Sequence, residues 1–301
     1  MKAMFGFGTK LPVTEEERLW VDEGFGRLSR MLGSSRLQNA TVVLPTDEFF
    51  PDPWDASEAA LKALFRRVCG YMGVSPSKVE LAIDTDTAVI PTTNALTEME
   101  PDYSIGMNPG PVELALSPDS VIERDSNELV EMLPVYSQSG MRNESASRYI
   151  CGNGEERPIV AVNSSLLNDT LTLVATLAHE LGYVVLLDGG HLQRDTKDLG
   201  PLADLVTVYL GLGVFTANAS GNFRKYQGGG RRGWSMSRLG YLPETVFGYA
   251  LARFAKERGE EQPAWTKYLS TNLKAWFRQS AEWIRQDSPR TDFSQTGIYR
   301  R

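Results

Sequence analysis

The chain has 301 residues, of which 42% are hydrophobic and 23% charged, and its formal net charge is −7. This composition is typical of a globular protein with enough residues to bury a substantial core, and it excludes disordered, collagen-like and disulfide-scaffold classes. The acidic balance argues against general binding to nucleic acid or anionic lipid. Two cysteines and a start without the pattern of a secretion signal lead us to expect a cytoplasmic protein.

The first half of the sequence predicts helices and short strands in alternation. A capping box formed by Thr14 and Glu17 begins a helix that ends at Gly33. A second helix is predicted at 57–71, and strands at 41–44, 79–84 and 158–165. Between residues 85 and 156 the pattern weakens, and we expect short strands, hairpins and a long loop there.

The second half predicts helices almost throughout. They cover residues 168–187, 202–219, 243–258 and 263–284, with a glycine-rich basic loop at 226–241. The apolar run 171–187 is shorter than the roughly 20 residues of a bilayer span, so we expect a buried helix and no membrane contact. The fold class is therefore α+β, in one compact two-lobed domain. Residues 1–190 form a mixed α/β lobe with a small sheet, and residues 191–301 form a mostly helical lobe.

The run HELGY, residues 179–183, lies within this apolar helix. His179 and Tyr183 are one helical turn apart on the same face, which is the spacing that lets two side chains reach one metal ion. Glu180 lies where a carboxylate can hold a water molecule and act as a general base. Two adjacent polar groups in so apolar a helix favour a shared role. The plainer interpretation is a histidine that is hydrogen-bonded in the core.

The longer run TLAHELGYVVLL, residues 176–187, resembles the motif helix of the zincin metallopeptidases, whose HExxH supplies two zinc ligands and the general base. The resemblance covers roughly residues 158–220, where strand, short connection, motif helix and following helix succeed one another as in the gluzincin type. It implies a zincin-like fold, with His179 as a metal ligand and Glu180 as the catalytic residue. The chain departs from the motif at Tyr183, which makes this a degenerate ligand position.

The resemblance also implies a third ligand on the following helix and a supporting acid four residues later. Asp204 lies on that helix, but the position four residues before it is Gly200, which has no side chain to bind a metal. Asp204 is therefore either the third ligand or the supporting acid of a site that lost its ligand, and it also suits a helical first turn without any metal. His191 and Asp188 are further candidate ligands from the loop after the motif helix, although His191 is two residues late for the metzincin pattern.

Three functional hypotheses remain open. Because a tyrosine is a poor neutral metal ligand, we expect zinc binding to be weak or absent. The leading hypothesis is then a zincin-fold pseudoenzyme that binds a polypeptide or protein partner. One alternative is an active zinc-dependent peptidase or hydrolase in which Glu180 activates a metal-bound water, with His179, Asp204 and one further group as ligands. The other is a non-enzymatic α+β interaction module.

Overall fold

The structure is a computed structural model that describes residues 10–84, 147–150, 157–221, 223–228, 231–236 and 242–287. It is a mixed α+β fold, mostly helical, with a small three-stranded sheet. Its helices are α1 (Glu15–Leu32), α2 (Ser34–Gln38), α3 (Glu58–Met72), α4 (Thr170–Tyr183), α5 (Leu199–Tyr209), α6 (Gly213–Ala219), α7 (Glu244–Glu257) and α8 (Thr271–Asp287). Its strands are β1 (Glu80–Asp84), β2 (Ser147–Ile150), β3 (Ile159–Asn163), β4 (Phe223–Gly228) and β5 (Arg231–Met236).

The three-stranded sheet has the order β1-β3-β2. β1 runs parallel to β3, with Leu81 opposite Val160, and β2 runs antiparallel to β3, with Tyr149 opposite the same residue. Val160 and Val162 are fully buried in the central strand. The strands predicted at 79–84 and 158–165 are confirmed, because β-branched residues at these positions pack into the core.

Helices α1 and α3 begin where their capping residues predict. The Thr14 side chain accepts a hydrogen bond from Glu17 N, and the Glu17 carboxylate accepts one from Thr14 N, so the predicted capping box is present. Ser57 caps α3 by accepting a hydrogen bond from Ala60 N. Each cap satisfies an amide that the helix leaves unpaired, which explains why the helix starts there.

Helix α4 lies at the centre of the molecule. It packs against α3, α5 and α6 and against strands β2 and β3. With the π-helical turn Val184–Asp188 that extends it, it is the one helix among the described residues that is long and apolar enough to cross a membrane. The most apolar 18-residue stretch within Thr170–Asp188 has a mean hydropathy of 1.6, and 67% of that stretch is buried inside the protein, as expected for a core helix.

The helix predicted at 202–219 is wrong as one element, because the chain breaks between α5 and α6. Gly211 has a φ of +95°, in the left-handed region that favours glycine. A Cβ at this position would lie 2.2 Å from the Thr41 carbonyl oxygen. Val43 N donates to the Gly211 carbonyl at 2.9 Å, so the segment predicted as a strand at 41–44 packs on this break instead of joining the sheet.

Two further expectations need correction. The glycine-rich segment predicted as a loop at 226–241 contains part of β4 and all of β5, which pair antiparallel from Phe223 opposite Met236 to Gly228 opposite Arg231. The helix predicted at 263–284 consists of the 3-10 turn Ala264–Tyr268 followed by α8. Most of the weakly patterned region 85–156 lies outside the described residues, and β2 is its described strand.

The two predicted lobes share one core. Helix α1 packs against α5 and α7, so an element of the first lobe contacts helices of the second. The buried hydrophobic residues form one continuous cluster that includes Trp20 on α1, Leu177 on α4 and Phe247 on α7. The boundary predicted between residues 190 and 191 stays a prediction.

Candidate functional site

The helix that carries HELGY begins directly after the central strand. The Asn163 side chain, at the end of β3, accepts a hydrogen bond from Ser165 N and opens the 3-10 turn Ser164–Asn168. Asp169 then caps α4 by accepting hydrogen bonds from the amide and the hydroxyl of Thr172, at 3.1 and 2.7 Å. These caps fix the start of α4 and therefore the position of His179, about two and a half turns later.

His179 on α4 contacts Asp204 on α5. His179 Nδ1 lies 2.6 Å from Asp204 Oδ1, and the two side chains are 13% and 2% exposed. Because a carboxylate oxygen accepts, Nδ1 donates this hydrogen bond and the neutral ring carries its lone pair on Nε2. Burial lowers the pKa of His179, but the charge and hydrogen bond of Asp204, with a contribution from the charge of Glu180, raise that pKa above its ordinary value. The folded protein thus favours the imidazolium more than an unfolded chain does.

Asp204 is held by several elements at once. Its Oδ2 accepts a hydrogen bond from Leu242 N at 3.0 Å, just before α7 begins. Its backbone carbonyl accepts one from the Thr207 hydroxyl at 2.7 Å, and that hydroxyl lies 2.7 Å from the hydroxyl of Thr216 on α6. Both carboxylate oxygens therefore have partners, and Asp204 acts on His179 as an orienting group.

A close approach of α4 and α5 brings the pair together. Gly182 packs against Ala203, the residue before Asp204, and a Cβ at Gly182 would lie 2.8 Å from the Ala203 carbonyl oxygen. Since real Cβ atoms almost never come this close to backbone, only glycine fits at this point of the HELGY run. The glycine thus helps to set the spacing that the His179–Asp204 hydrogen bond needs.

Tyr183 joins an aromatic cluster with His179 and Tyr149. The rings of Tyr183 and His179 meet edge to face, with centroids 5.2 Å apart and an interplanar angle of 88°. The ring of Tyr183 also stacks on Tyr149 of β2, with centroids 5.7 Å apart and an angle of 19°. Tyr183 is therefore part of a packed aromatic cluster that links α4 to the sheet.

Tyr149 also links the sheet to the end of the motif helix. Its hydroxyl donates to the two carboxylate oxygens of Asp188, at 3.2 and 3.1 Å. Asp188 ends the π-helical turn, and burial raises the pKa of its carboxyl. Asp188 therefore contacts the aromatic cluster through Tyr149.

The other two predicted site residues differ in their surroundings. Glu180 is 5% exposed, although it carries a carboxylate in a helix that is otherwise almost entirely apolar. It is close enough to His179 for its charge to raise the pKa of the imidazole. His191 is exposed in the turn after the motif helix, where its backbone amide donates to Leu186 O at 3.2 Å. The structure brings His179, Glu180, Tyr183 and Asp204 together, and shows no hydrogen bond or ion pair between them and the His191 ring.

The donor set does not fit a standard catalytic zinc site. Two ligands at about 2.0–2.1 Å from one tetrahedral zinc lie about 3.3 Å apart. His179 Nδ1 and Asp204 Oδ1 are closer, at the distance of a direct hydrogen bond. In the part of the chain that the structure describes, no group of three or more His, Cys, Asp and Glu side chains is placed to hold a metal ion. The contact of Asp204 fits the supporting acid better than the third ligand, and its assignment as a ligand stays a prediction.

Sequence reasoning missed two contributors to the site. Tyr149 lies in the region of weak pattern, and nothing in the sequence indicates that it stacks on Tyr183. The Leu242 amide is a backbone group 38 residues away from Asp204, the carboxylate that it binds. Neither contact has a sequence signal, because both depend on how distant elements pack.

No family model, curated protein or solved structure matches the chain.

Proposed function

We propose that the chain is a zincin-fold protein with a degenerate metallopeptidase site, catalytically impaired, that acts by binding a polypeptide or protein partner. The observation that carries this proposal is the arrangement around His179. Asp204 occupies its Nδ1, and Tyr183 stands at the second ligand position with its ring packed against the imidazole.

The contact between His179 and Asp204 supports the zincin part of the proposal. A histidine that binds a metal through one ring nitrogen commonly donates the other N–H to a carboxylate. The His179–Asp204 pair has this form. The elements that carry it follow the order that the resemblance requires, which is a strand, the motif helix and a second helix. Gly200 stands where a gluzincin has its third ligand, four residues before the supporting acid.

Tyr183 supports the loss of catalysis. A phenol with a pKa near 10 is a poor neutral ligand, so HELGY offers one imidazole where the motif needs two. The ring of Tyr183 is also stacked on Tyr149, and this contact opposes any movement of Tyr183 to bind a metal ion. Glu180 would then lack the metal-bound water on which a zincin base acts.

The sheet edge supports binding of a polypeptide. β2 lies at one edge of the described three-stranded sheet, and it carries Tyr149 into the aromatic cluster. An extended polypeptide can add to a sheet edge through backbone hydrogen bonds, with side-chain pockets giving specificity. Tyrosines beside such an edge are suited to contact the partner, since aromatic residues dominate many interfaces.

Restoring the missing ligands tests the proposal. We expect the wild-type protein, purified without chelators, to hold far less than one zinc per chain and to leave unfolded, alkylated polypeptides intact. The double variant Tyr183→His with Gly200→Glu recreates the gluzincin donor set around His179, so it should take up close to one zinc per chain. Adding Glu180→Gln to that variant should leave its zinc content unchanged and abolish any hydrolysis it has gained.

The control places the new histidine elsewhere on the same helix. Leu171 on α4 is 55% exposed, so Leu171→His with Gly200→Glu adds the same side chains without completing the site. Equal zinc uptake by this control and the restored variant would contradict the zincin geometry. Stoichiometric zinc in the wild type, together with hydrolysis that Glu180→Gln removes, would contradict impaired catalysis and support the active hydrolase. Failure of the wild type to bind a fluorescent unfolded polypeptide in an anisotropy titration would contradict the binding role.

A further inference from the structure

A cavity of about 550 Å³ lies on another side of α4, between the proline-rich loop 45–54, α3 and the start of α4. Its volume falls within the range of about 300–1,000 Å³ that is typical of small-molecule sites. Most of its wall is apolar, as such sites usually are. The principal apolar contributors are Pro45, Phe50, Trp54, Leu64, Leu171 and Phe215.

The cavity is separate from the HELGY site. The residues of α4 that line it are Thr170, Leu171 and Val174, all in the first turns of the helix. At 3.6 residues per turn, Val174 and His179 point about 140° apart around the helix axis. A ligand in the cavity would therefore contact a different face of α4.

The walls of the cavity are fixed by contacts of their own. The Trp54 indole N–H donates to the Leu167 carbonyl at 3.0 Å. The Phe50 ring packs edge to face with Tyr71, at 6.0 Å between centroids, and with Phe215, at 5.5 Å. Prolines in the loop restrict its backbone further. Walls held in this way form a site before any ligand arrives, which lowers the cost of binding.

An exposed leucine borders the cavity. Leu171 is 55% exposed, and it is one of two large hydrophobic side chains that are exposed in the described part of the chain. Burying it against an apolar group would gain free energy in proportion to the area removed from water. The apolar body of a ligand supplies such a group.

The charges of the lining favour a cation. Arg67 Nε donates to Asp52 Oδ2 at 3.1 Å, so these two charges offset one another. Asp47 also lines the cavity, is exposed, and forms no ion pair or hydrogen bond through its carboxylate with the described residues. The lining thus carries a surplus negative charge beside aromatic rings, and aromatic faces attract cations as well.

We propose that this cavity binds a small organic cation with an apolar body. The ammonium group lies near Asp47, and the body packs against Trp54, Phe50 and Leu171. The proposal is independent of the function assigned to the HELGY site.

Three probes of similar size and different charge test it: phenethylammonium, 2-phenylethanol and phenylacetate, titrated by calorimetry and ligand-detected NMR. Phenethylammonium should bind saturably at one site, the neutral alcohol about fivefold more weakly, and phenylacetate more weakly still. Asp47→Asn should weaken phenethylammonium binding about fivefold, to the level of the alcohol. Glu48→Gln is the matched control, because it removes a neighbouring exposed carboxylate that does not line the cavity, and it should change nothing.

Ala60 lines the cavity from α3, so Ala60→Phe should place a ring inside it and weaken the binding of all three probes. The proposal is overturned if phenethylammonium shows no saturable binding, if phenylacetate binds as tightly, or if Asp47→Asn and Glu48→Gln behave alike. The tripeptide amide of Phe-Gly-Gly places the same ammonium group and aromatic ring at a peptide N-terminus without adding a carboxylate. If it binds more tightly than phenethylammonium, the ligand is a chain terminus, and if it binds more weakly, the ligand is a free amine.

Discussion

The protonation of His179 is coupled to folding through its contact with Asp204. The pKa of His179 is raised in the folded protein, whereas an unfolded chain has a pKa near 6.5 for this group. Between these two values the folded state binds more protons than the unfolded state. The stability that the pair contributes is therefore fully present below about pH 6.5 and is lost as the pH rises through the folded pKa.

We predict that the free energy of unfolding falls between pH 6 and pH 8.5, and that His179→Gln removes most of this fall. At pH 6 the substitution should cost about 2 kcal/mol, because it removes a charged hydrogen bond from a buried carboxylate. Urea denaturation at both pH values measures this. His191→Gln removes the other histidine, which is exposed, and should keep the wild-type pH dependence. If His191→Gln flattened the profile and His179→Gln did not, the pair would not be the cause.

At the same scale, the residue types of the site could be predicted but not their contacts. His179, Glu180 and Tyr183 follow from the spacing of the motif on one helix. For Asp204 the sequence leaves three roles open, namely metal ligand, supporting acid and first-turn charge. The first-turn role is wrong, because α5 begins at Leu199 and has no acid in its first turn. The 2.6 Å contact with Nδ1, between two different helices, favours the supporting acid over the ligand.

At the scale of elements, the packing of α4 on α5 positions the site. Gly182 allows the two helices to approach, and the residue that it contacts, Ala203, precedes Asp204. Gly70 on α3 offers a comparison, since nothing lies within 4 Å of the Cβ that it lacks. Both glycines stand in the last turn or so of their helices.

We predict that Gly182→Ala destabilises the protein by about 1–3 kcal/mol, because the new methyl group presses on the Ala203 backbone. Gly70→Ala should instead stabilise it by about 0.5–1 kcal/mol through better helix propensity. Urea denaturation compares the two variants. Gly182→Ala should also shift the NMR titration of His179 to lower pH, since moving α5 away weakens the contact with Asp204. A similar effect of both substitutions would contradict a role for Gly182 in helix spacing.

Element types could be predicted more reliably than element ends. The capping box at Thr14 and the β-branched run of β3 are local signals, and both are confirmed. The break at Gly211 depends on the Thr41 carbonyl, some 170 positions earlier in the chain, and has no local signal beyond the glycine itself. The hairpin β4–β5 was predicted as a loop because its glycines and charged residues are typical of loops.

At the scale of the whole molecule, the Arg258 side chain joins elements of the two predicted lobes. Arg258, which follows α7, donates from Nη1 to the carbonyls of Leu37, Gln38 and Ala40, at 2.9, 3.1 and 2.8 Å. These carbonyls lie at and after the end of α2, where a helix leaves carbonyls without their usual intrahelical partners, and Leu37 O also accepts from Ala40 N at 3.2 Å. The contact adds to the packing of α1 on α7, so it is a second connection between the two predicted lobes.

We predict that Arg258→Lys destabilises the protein by about 2–3 kcal/mol, because one ammonium group cannot replace both the Nη1 contacts with the carbonyls and the Nε hydrogen bond to the Glu260 carboxylate. Thermal unfolding should be followed by circular dichroism at 222 nm and by tryptophan fluorescence. Since one core connects the two lobes, both signals should shift to lower temperature by the same amount. Arg278→Lys, at an exposed position on α8, is the control and should leave the transition unchanged. If Arg258→Lys split the transition into two steps, the lobes would unfold independently, and the shared core would not make them one cooperative unit.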